Sequence, residues 1–576
     1  MNLRGVLMMM TLLALSIPGE TWAAAEPSSK KVTGGEATTL EPLSDPQEVF
    51  FTVLKYDVEG NTILPQETID NVLKEFTGFA QQFGDIEKAR KALEKTYHEE
   101  GYPTVIVVLP QQEIDQGLVK LTVVESQIGT VSMKGNRFFS EELLMEKLPS
   151  LKPGWVIHQP TLLKELAKVN FHPDRKVTPI LQPGEETGKV NLELKVNDRL
   201  PLHGKIKIDN KGAQATPENR LTAELQYTNL LDLEHILTLQ TVQTPEDWGA
   251  VQVYGFTYVA PLGKNNHLLA VFGSISESSS TLAGSGLPVG SQGFVNIAGN
   301  SKSAGIRYTF PILESDTFGT HQLSLGADFT RLEKSTAKFP SGLGGGDFLI
   351  SAPVQYTPLS LSYTGIIPHH SGITSLSGTL RGYVAGMIPG GDKVDFAGDP
   401  NDFDNKPGNR VGSTGTFGVV KGTFQRSQQL PENYTANARI MGQWANEPLL
   451  AAEEIFAGGM DTVRGYHQNE TLGDNGVLTR LEVLSPFYSI PFDRTFAPKL
   501  RADVQWTVFY DTGFVWVLRV QPNQLQRFNL EGAGLGFRLK LNDIVNLQVD
   551  HAWAIRDAGR TFAGDRFIHF MVDMAI

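Results

Sequence analysis

Two short stretches combine residue types that could do chemistry. The first is Glu454-Ile-Phe-Ala-Gly-Gly459-Met-Asp-Thr-Val463-Arg464-Gly465-Tyr466, a glycine-rich segment between two alternating segments. An arginine between a β-branched residue and a glycine predicts a tight loop tip that carries one permanent charge. The second is Phe509-Tyr510-Asp511-Thr512-Gly513. A buried tip would need an acidic partner for Arg464, because an unpaired buried charge is costly. Asp511 is the best partner in view. A tip left in solvent would be an ordinary surface loop. Either way the chemistry is charge pairing rather than catalysis.

Other reactive patterns are missing. Gly188-Lys189, Gly204-Lys205 and Gly263-Lys264 lack the Ser or Thr that a phosphate-binding loop places next. There is no Gly-x-Ser-x-Gly and no His-Glu-x-x-His. The chain has no cysteine, which excludes disulfides, thiol catalysis and thiolate-bound metals. His369-His370 falls in a short turn and reads as solvated. Asp392, Asp395, Asp399, Asp402 and Asp404 resemble a calcium loop only loosely, without its terminal glutamate. The expectation is no catalytic residue, no cofactor, no metal and no enzyme activity. A formal net charge of −13 gives no reason to expect nucleic acid.

The elements that would position these residues follow along the chain. Arg4, an apolar core from Val6 to Ile17 and Ala23-Ala24-Ala25 read as a secretory signal over 1–25. The core is too short to span a membrane. Residues 26–46 are polar, with Gly and Pro, and read as a flexible lead.

From 47 to 126 the pattern is strand, helix, helix, strand, strand: Phe50–Val58, Pro65–Phe76, Asp85–Glu99, Val105–Leu109 and Leu118–Val124. The order returns over 127–199, with Lys134-Gly135-Asn136 echoing Glu59-Gly60-Asn61. Both stretches resemble POTRA domains. Pro173-Asp174-Arg175-Lys-Val177 is similar to the POTRA domain next to the barrel in two-partner-secretion transporters.

Over 200–576 the period becomes two. Leu221, Ala223, Leu225 and Tyr227 alternate with Arg220, Thr222, Glu224 and Gln226. Sixteen such segments can be placed, beginning with 203–210 and ending with 566–576. Connections alternate in length: 230–233, 262–265, 368–371 and 542–543 are short, whereas 277–300, 333–352, 387–412 and 446–474 are long. An even number of strands, with short turns on one side and long loops on the other, predicts a 16-stranded antiparallel transmembrane β-barrel. In 499–513 the phase of Leu500, Val504, Trp506 and Val508 suits lipid. That of Arg501, Gln505, Thr507, Phe509, Asp511 and Gly513 suits the lumen. Arg464 can meet Asp511 only if loop 446–474 folds back into the barrel.

Val463-Arg464-Gly465-Tyr466 resembles the tip of the sixth extracellular loop in the superfamily of outer-membrane assembly and two-partner-secretion proteins. Phe509, Asp511 and Gly513 match the barrel-wall motif whose aspartate pairs with that arginine. Two POTRA-like modules favour the two-partner-secretion branch, of hemolysin-activator type. That resemblance implies a protein of the bacterial outer membrane with periplasmic POTRA domains, working as a monomer among outer-membrane lipid. It would capture an unfolded secreted exoprotein and pass it through the barrel. The alternative reading is an assembly factor that inserts other outer-membrane proteins. A passive porin is the third, and the POTRA-like modules argue against it. Residues 26–46 look too short and too broken for the N-terminal plug helix of many relatives.

Overall fold

A computed structural model describes residues 50–575 apart from 115, 214–215, 264, 284–293, 316, 340–345, 403–404, 491–500, 522–523 and 543. The signal segment and lead expected at 1–25 and 26–46 lie outside the described residues. The chain divides into two compact units. One holds the residues up to Tyr97 together with Val105–Val124, and the other holds His98–Thr104 and Glu125–Ile576.

In the first unit, β1 (Phe50–Val53) and β2 (Lys55–Glu59) precede a helix at Gln66–Lys74. Then come β3 (Gly78–Gln82), a helix at Phe83–Glu99, β4 (Val105–Val108) and β5 (Leu118–Glu125). β5 is the central strand between β2 and β4 and runs parallel to β2. The long helix buries Ile86, Ala89, Leu93 and Tyr97, a three- and four-residue spacing that forms one apolar stripe. The strand expected over 50–58 is broken at Leu54, whose N–H turns to the Gly117 carbonyl at 2.8 Å. β3 was not expected: Gly-Phe-Ala-Gln-Gln has no alternation, and it pairs only with β1.

The second unit begins with β6 (Gln127–Lys134), helices at Glu141–Glu146 and Gln159–Val169, β7 (Arg175–Pro183) and β8 (Lys189–Asp198). β8 is central, parallel to β6 and antiparallel to β7. Ser140 caps the first helix by accepting from the Leu143 N–H at 3.1 Å. Ile128, Leu144, Leu166, Val177 and Leu194 lie in its core.

A closed antiparallel barrel follows. Its staves are β9 (Leu202–Asp209), β10 (Arg220–Leu230), β11 (His235–Gln243), β12 (Val251–Leu262), β13 (His267–Ala283) and β14 (Phe294–Ser315). β15 (Gly319–Leu332) continues as β16 (Ser335–Phe339). The next stave is built from β17 (Gly346–Ser351), β18 (Val354–Tyr356) and β19 (Leu359–His369). Then come β20 (Gly372–Tyr383), β21 (Phe417–Gln429) and β22 (Thr435–Ala445). Two short loop strands, β23 (Ile455–Ala457) and β24 (Thr471–Gly473), pair with each other. The last staves are β25 (Asn475–Leu484) continued by β26 (Tyr488–Ile490), β27 (Ala502–Trp516), β28 (Arg527–Leu541), β29 (Val545–Ala554) and β30 (Arg566–Ala575). That makes sixteen staves, closed by pairing Met571–Ala575 of β30 with Lys205–Asp209 of β9.

Side-chain alternation fits a membrane wall. Along β27, Trp506, Val508, Tyr510 and Phe514 are exposed on the outside, whereas Thr507, Phe509, Asp511 and Val515 are buried inside. Two long loops are shorter than expected. β13 and β14 run on to Ala283 and from Phe294, and within 333–352 the paired β16 and β17 extend the wall over Ser335–Phe339 and Gly346–Ser351. Loop 387–412 carries a helical turn at Lys393–Ala397. Among the described residues no helix is long and apolar enough to cross a membrane.

Candidate functional site

Loop 446–474 enters the lumen on the two-stranded stem β23–β24. Its tip turns through three glycines at positive φ: Gly458, Gly459 and Gly465. At Gly465 the need is steric as well, because a Cβ would stand 2.8 Å from the Trp553 backbone carbon. The tip therefore rests directly on the backbone of β29. The wall is hollowed to match. A Cβ on Gly532 of β28 would collide with the Arg464 carbonyl oxygen at 1.9 Å, and one on Gly513 would reach Val463 Cγ2 at 2.9 Å. Gly513 thus makes room for Val463 and for Leu478, whose Cδ2 would stand 2.8 Å away.

Among the described residues Arg464 is the largest fully buried side chain. Its Nε donates to Asp511 Oδ2 at 2.7 Å and its Nη2 to Oδ1 at 2.9 Å, a two-pronged pair. Its backbone N–H donates to the same carboxylate at 3.1 Å. Nη1 reaches Glu482 at 2.7 Å and Asp550 at 3.3 Å. The guanidinium lies over the Phe509 ring, 3.4 Å from its centroid. Arg480 and Arg538 bind the same acids, Glu482 at 3.1 Å and Asp550 at 2.5 Å respectively. Three arginines thus face three carboxylates, and the buried cluster is neutral.

The flanking residues complete the seat. The Gly465 N–H donates to His569 Nε2 at 3.3 Å. The Tyr466 hydroxyl lies 2.9 Å from the Glu531 carbonyl and 2.8 Å from that of Arg556, tying β28 to the segment after β29. Val463 and Tyr466 pack with Leu478, Val515 and Leu530. All seven residues singled out from the sequence (Val463, Arg464, Gly465, Tyr466, Phe509, Asp511 and Gly513) therefore meet at one place. Sequence reasoning missed Glu482, Asp550 and His569. Their signal was present, since each is an ionisable residue in the inward phase of its strand.

The weaker candidates behave as local structure. His369 Nε2 lies 3.0 Å from Thr374 Oγ1. Asp392 and Asp395 form a capping box on the Lys393–Ala397 helix, Asp399 accepts from the Asn401 N–H at 2.9 Å, and Asp402 from Asn405 at 2.7 Å. Asp404 lies outside the described residues. Among the described residues no group of three His, Asp or Glu side chains is placed to hold a metal.

A second charged cluster joins the β6–β8 module to the short turn between β10 and β11. Asp174 accepts from Thr228 Oγ1 at 2.7 Å and contacts His203 and Arg199, both at 2.8 Å. Burial opposes its charge, but those three hydrogen bonds outweigh it and hold the carboxyl below the usual range. Buried Arg175 pairs with Glu234, which Lys147 also contacts at 2.6 Å. Asn229 Nδ2 donates to the Phe138 carbonyl at 2.8 Å. Short turns therefore lie at the barrel end that bears the module.

A family model described as a POTRA domain of ShlB type matches residues 51–126. Another, the haemolysin secretion/activation protein ShlB/FhaC/HecB, matches 188–310 and 398–539, so that the two together cover more than half of the chain. The chain belongs to this haemolysin secretion/activation family. Its relatives include the heme/hemopexin transporter protein HuxB of Haemophilus influenzae strain 86-028NP, 22% identical over 87% of this chain and 84% of that one. The outer membrane transporter CdiB of Dickeya dadantii is 20% identical over 77% and 73%, and the hemolysin transporter protein HpmB of Proteus mirabilis 22% over 78% and 74%. Among solved structures, CdiB from Escherichia coli matches with a TM-score of 0.60 at 17% identity over 93% of each chain. BamA from Haemophilus ducreyi lacking POTRA domains 1–3 matches at 0.53 and 13% over 92% of this chain and all of that one. Both share the fold. This family member is a two-partner-secretion transporter of the bacterial outer membrane, with its POTRA domain in the periplasm and a barrel that exports a partner protein.

Proposed function

We propose that residues 127–199 are a second POTRA domain, following one at 47–126, and that an extended segment of the secreted partner adds as a strand to its sheet before entering the barrel at 200–576. The pinned loop then borders the path outward. Folding of the partner outside supplies the drive, without nucleotide or enzymatic step. The outer wall faces outer-membrane lipid, and one barrel works alone.

The observation that carries this reading is the state of the sheet edges. Unpaired strand edges invite another strand. On β7 the outward N–H and C=O of Val177 are both taken by the Asn170 side chain, at 2.6 and 2.9 Å. The unbroken register then turns Pro179, Leu181 and Pro183 the same way, and two of these have no N–H to offer. β7 is a poor template. On β6 the Ile128 N–H and C=O are closed by Trp155 and Gly154, at 2.8 and 2.7 Å. Beyond the irregularity after Ile128, Val131–Lys134 pairs with β8 on one side, and among the described residues no strand pairs with its other edge. In the first module the Val107 N–H and C=O on β4 are capped by Glu94 and Arg90, at 3.0 and 2.8 Å.

A proline scan tests the proposal. Proline at the outward-facing positions of Val131–Lys134 should reduce secretion while the barrel still inserts, and Leu181→Pro should be tolerated better. Full secretion across the β6 scan would refute strand addition there.

A further inference from the structure

The pinned loop is held at a second place, on staves that contribute nothing to the Arg464 cluster. Glu453, at the foot of the loop, is only 4% exposed. Its carboxylate takes two bonds from Arg381 of β20, at 3.0 and 2.9 Å, and lies 3.3 Å from the Tyr356 hydroxyl. Arg381 also binds Asp328 of β15, and Asp328 is held in turn by Arg307 of β14 at 2.6 Å. The charges run in series from the wall to the loop: Arg307, Asp328, Arg381, Glu453.

Neighbouring groups fix the same foot. Gln443 donates to the Glu453 carbonyl at 3.0 Å. Glu454 meets Arg410 at 3.2 Å, and Arg410 meets Asp474, where the loop leaves, at 2.8 Å. Asp474 is fully buried and accepts from the Leu449 N–H at 2.7 Å. Leu449 and Leu450 sit in an apolar cluster with Tyr356, Tyr383, Phe396 and Phe417. Nothing in this set touches Arg464, Asp511 or Asp550.

We propose that Glu453 and Arg381 are positioning residues for transport: they form a second, independent latch that keeps the foot of the loop on the wall even when the tip is released. The loop is then a strut fixed at two points across the lumen. This rests on the reading of the loop as a border of the export path, but its test does not depend on secretion. Glu453→Gln is the clean probe. Arg381 keeps Asp328 as a partner when Glu453 is neutralised, so its guanidinium is not left unpaired. Arg381→Gln would take the guanidinium from Glu453, while Asp328 keeps Arg307, and it is a poorer probe because the Glu453 charge stays buried.

The chain has no cysteine of its own, so single reporters can be read in the full-length protein in its membrane. Leu450→Cys reports on the foot and Val463→Cys on the tip; both positions are buried, at 1% and 0% exposure. Maleimide labelling is then compared with barrel folding, followed by heat-modifiable mobility. In an Arg464→Ala background the tip reporter should become reactive while the foot reporter stays protected. Glu453→Gln should give the reverse, and Arg381→Lys, which keeps the charge, should leave the foot at least partly protected. Reporters that open together in either background would overturn independence. A foot that stays protected in Glu453→Gln would remove Glu453 as the latch. Secretion measured on the same strains separately shows whether the loop borders the path at all.

Discussion

Arg464 holds three carboxylates, and they do not depend on it equally. Asp511 has Arg464 bidentately and otherwise, among the described residues, only Arg480 at 3.8 Å. Asp550 keeps Arg538, and Glu482 keeps Arg480, whatever happens to Arg464. Removing Arg464 therefore strands Asp511, whereas removing Asp511 leaves Arg464 with two acids. Arg464→Ala should destabilise the seated loop by about 3–5 kcal/mol, and Asp511→Ala by less, about 1–3 kcal/mol. Denaturant melting of the purified barrel, with loop release followed separately, checks the order. Arg464→Lys should behave nearly as badly as alanine, since a lysine can neither fork onto Asp511 nor stack on Phe509. The partner Asp511 was legible from its motif, its strand phase and the family resemblance taken together. Glu482 and Asp550 were not, because phase says which residues face inward but not which staves lie beside the tip.

At the scale of elements, the seat is cut by glycine. The register puts Arg480, Asp511 and Gly532 in one row across β25, β27 and β28. The row explains why a Cβ is excluded at 532: the Arg464 carbonyl occupies that space. Gly532→Ala should unseat the tip without touching a charge, at a cost of about 1–3 kcal/mol. Gly378→Ala on β20, where a Cβ meets nothing within 4 Å, should be silent in the same trypsin-accessibility assay. Equal protection in both would show that close packing does not hold the tip. Alternation located all sixteen staves, because a membrane wall imposes period two on each one. It failed where the wall ceases to be half lipid and half lumen. β3 has no buried face of its own, and β16 and β17 lie where the sequence carries turn residues. The foot of loop 446–474 was also hidden. Glu453 and Arg381 are far apart in sequence, and nothing local links them.

For the molecule as a whole, parity of connection lengths fixes orientation. The turn between β10 and β11 is bound to the β6–β8 module, so short turns belong to the periplasm. Lys393→Cys in loop 387–412 should be labelled by an impermeant maleimide in intact cells, and His370→Cys in the turn after β19 should not. The reverse pattern would invert the barrel. The central claim is that a lumenal ion pair, seated by a glycine-lined wall, holds the loop that export requires. Its most direct test is a double-mutant cycle on secretion of the partner, with barrel folding measured on the same cells. The account predicts that Arg464→Ala and Asp511→Ala each impair secretion while the barrel still folds, and that the double variant is no worse than Arg464→Ala alone. Fully additive defects, or normal secretion by Arg464→Ala, would contradict it.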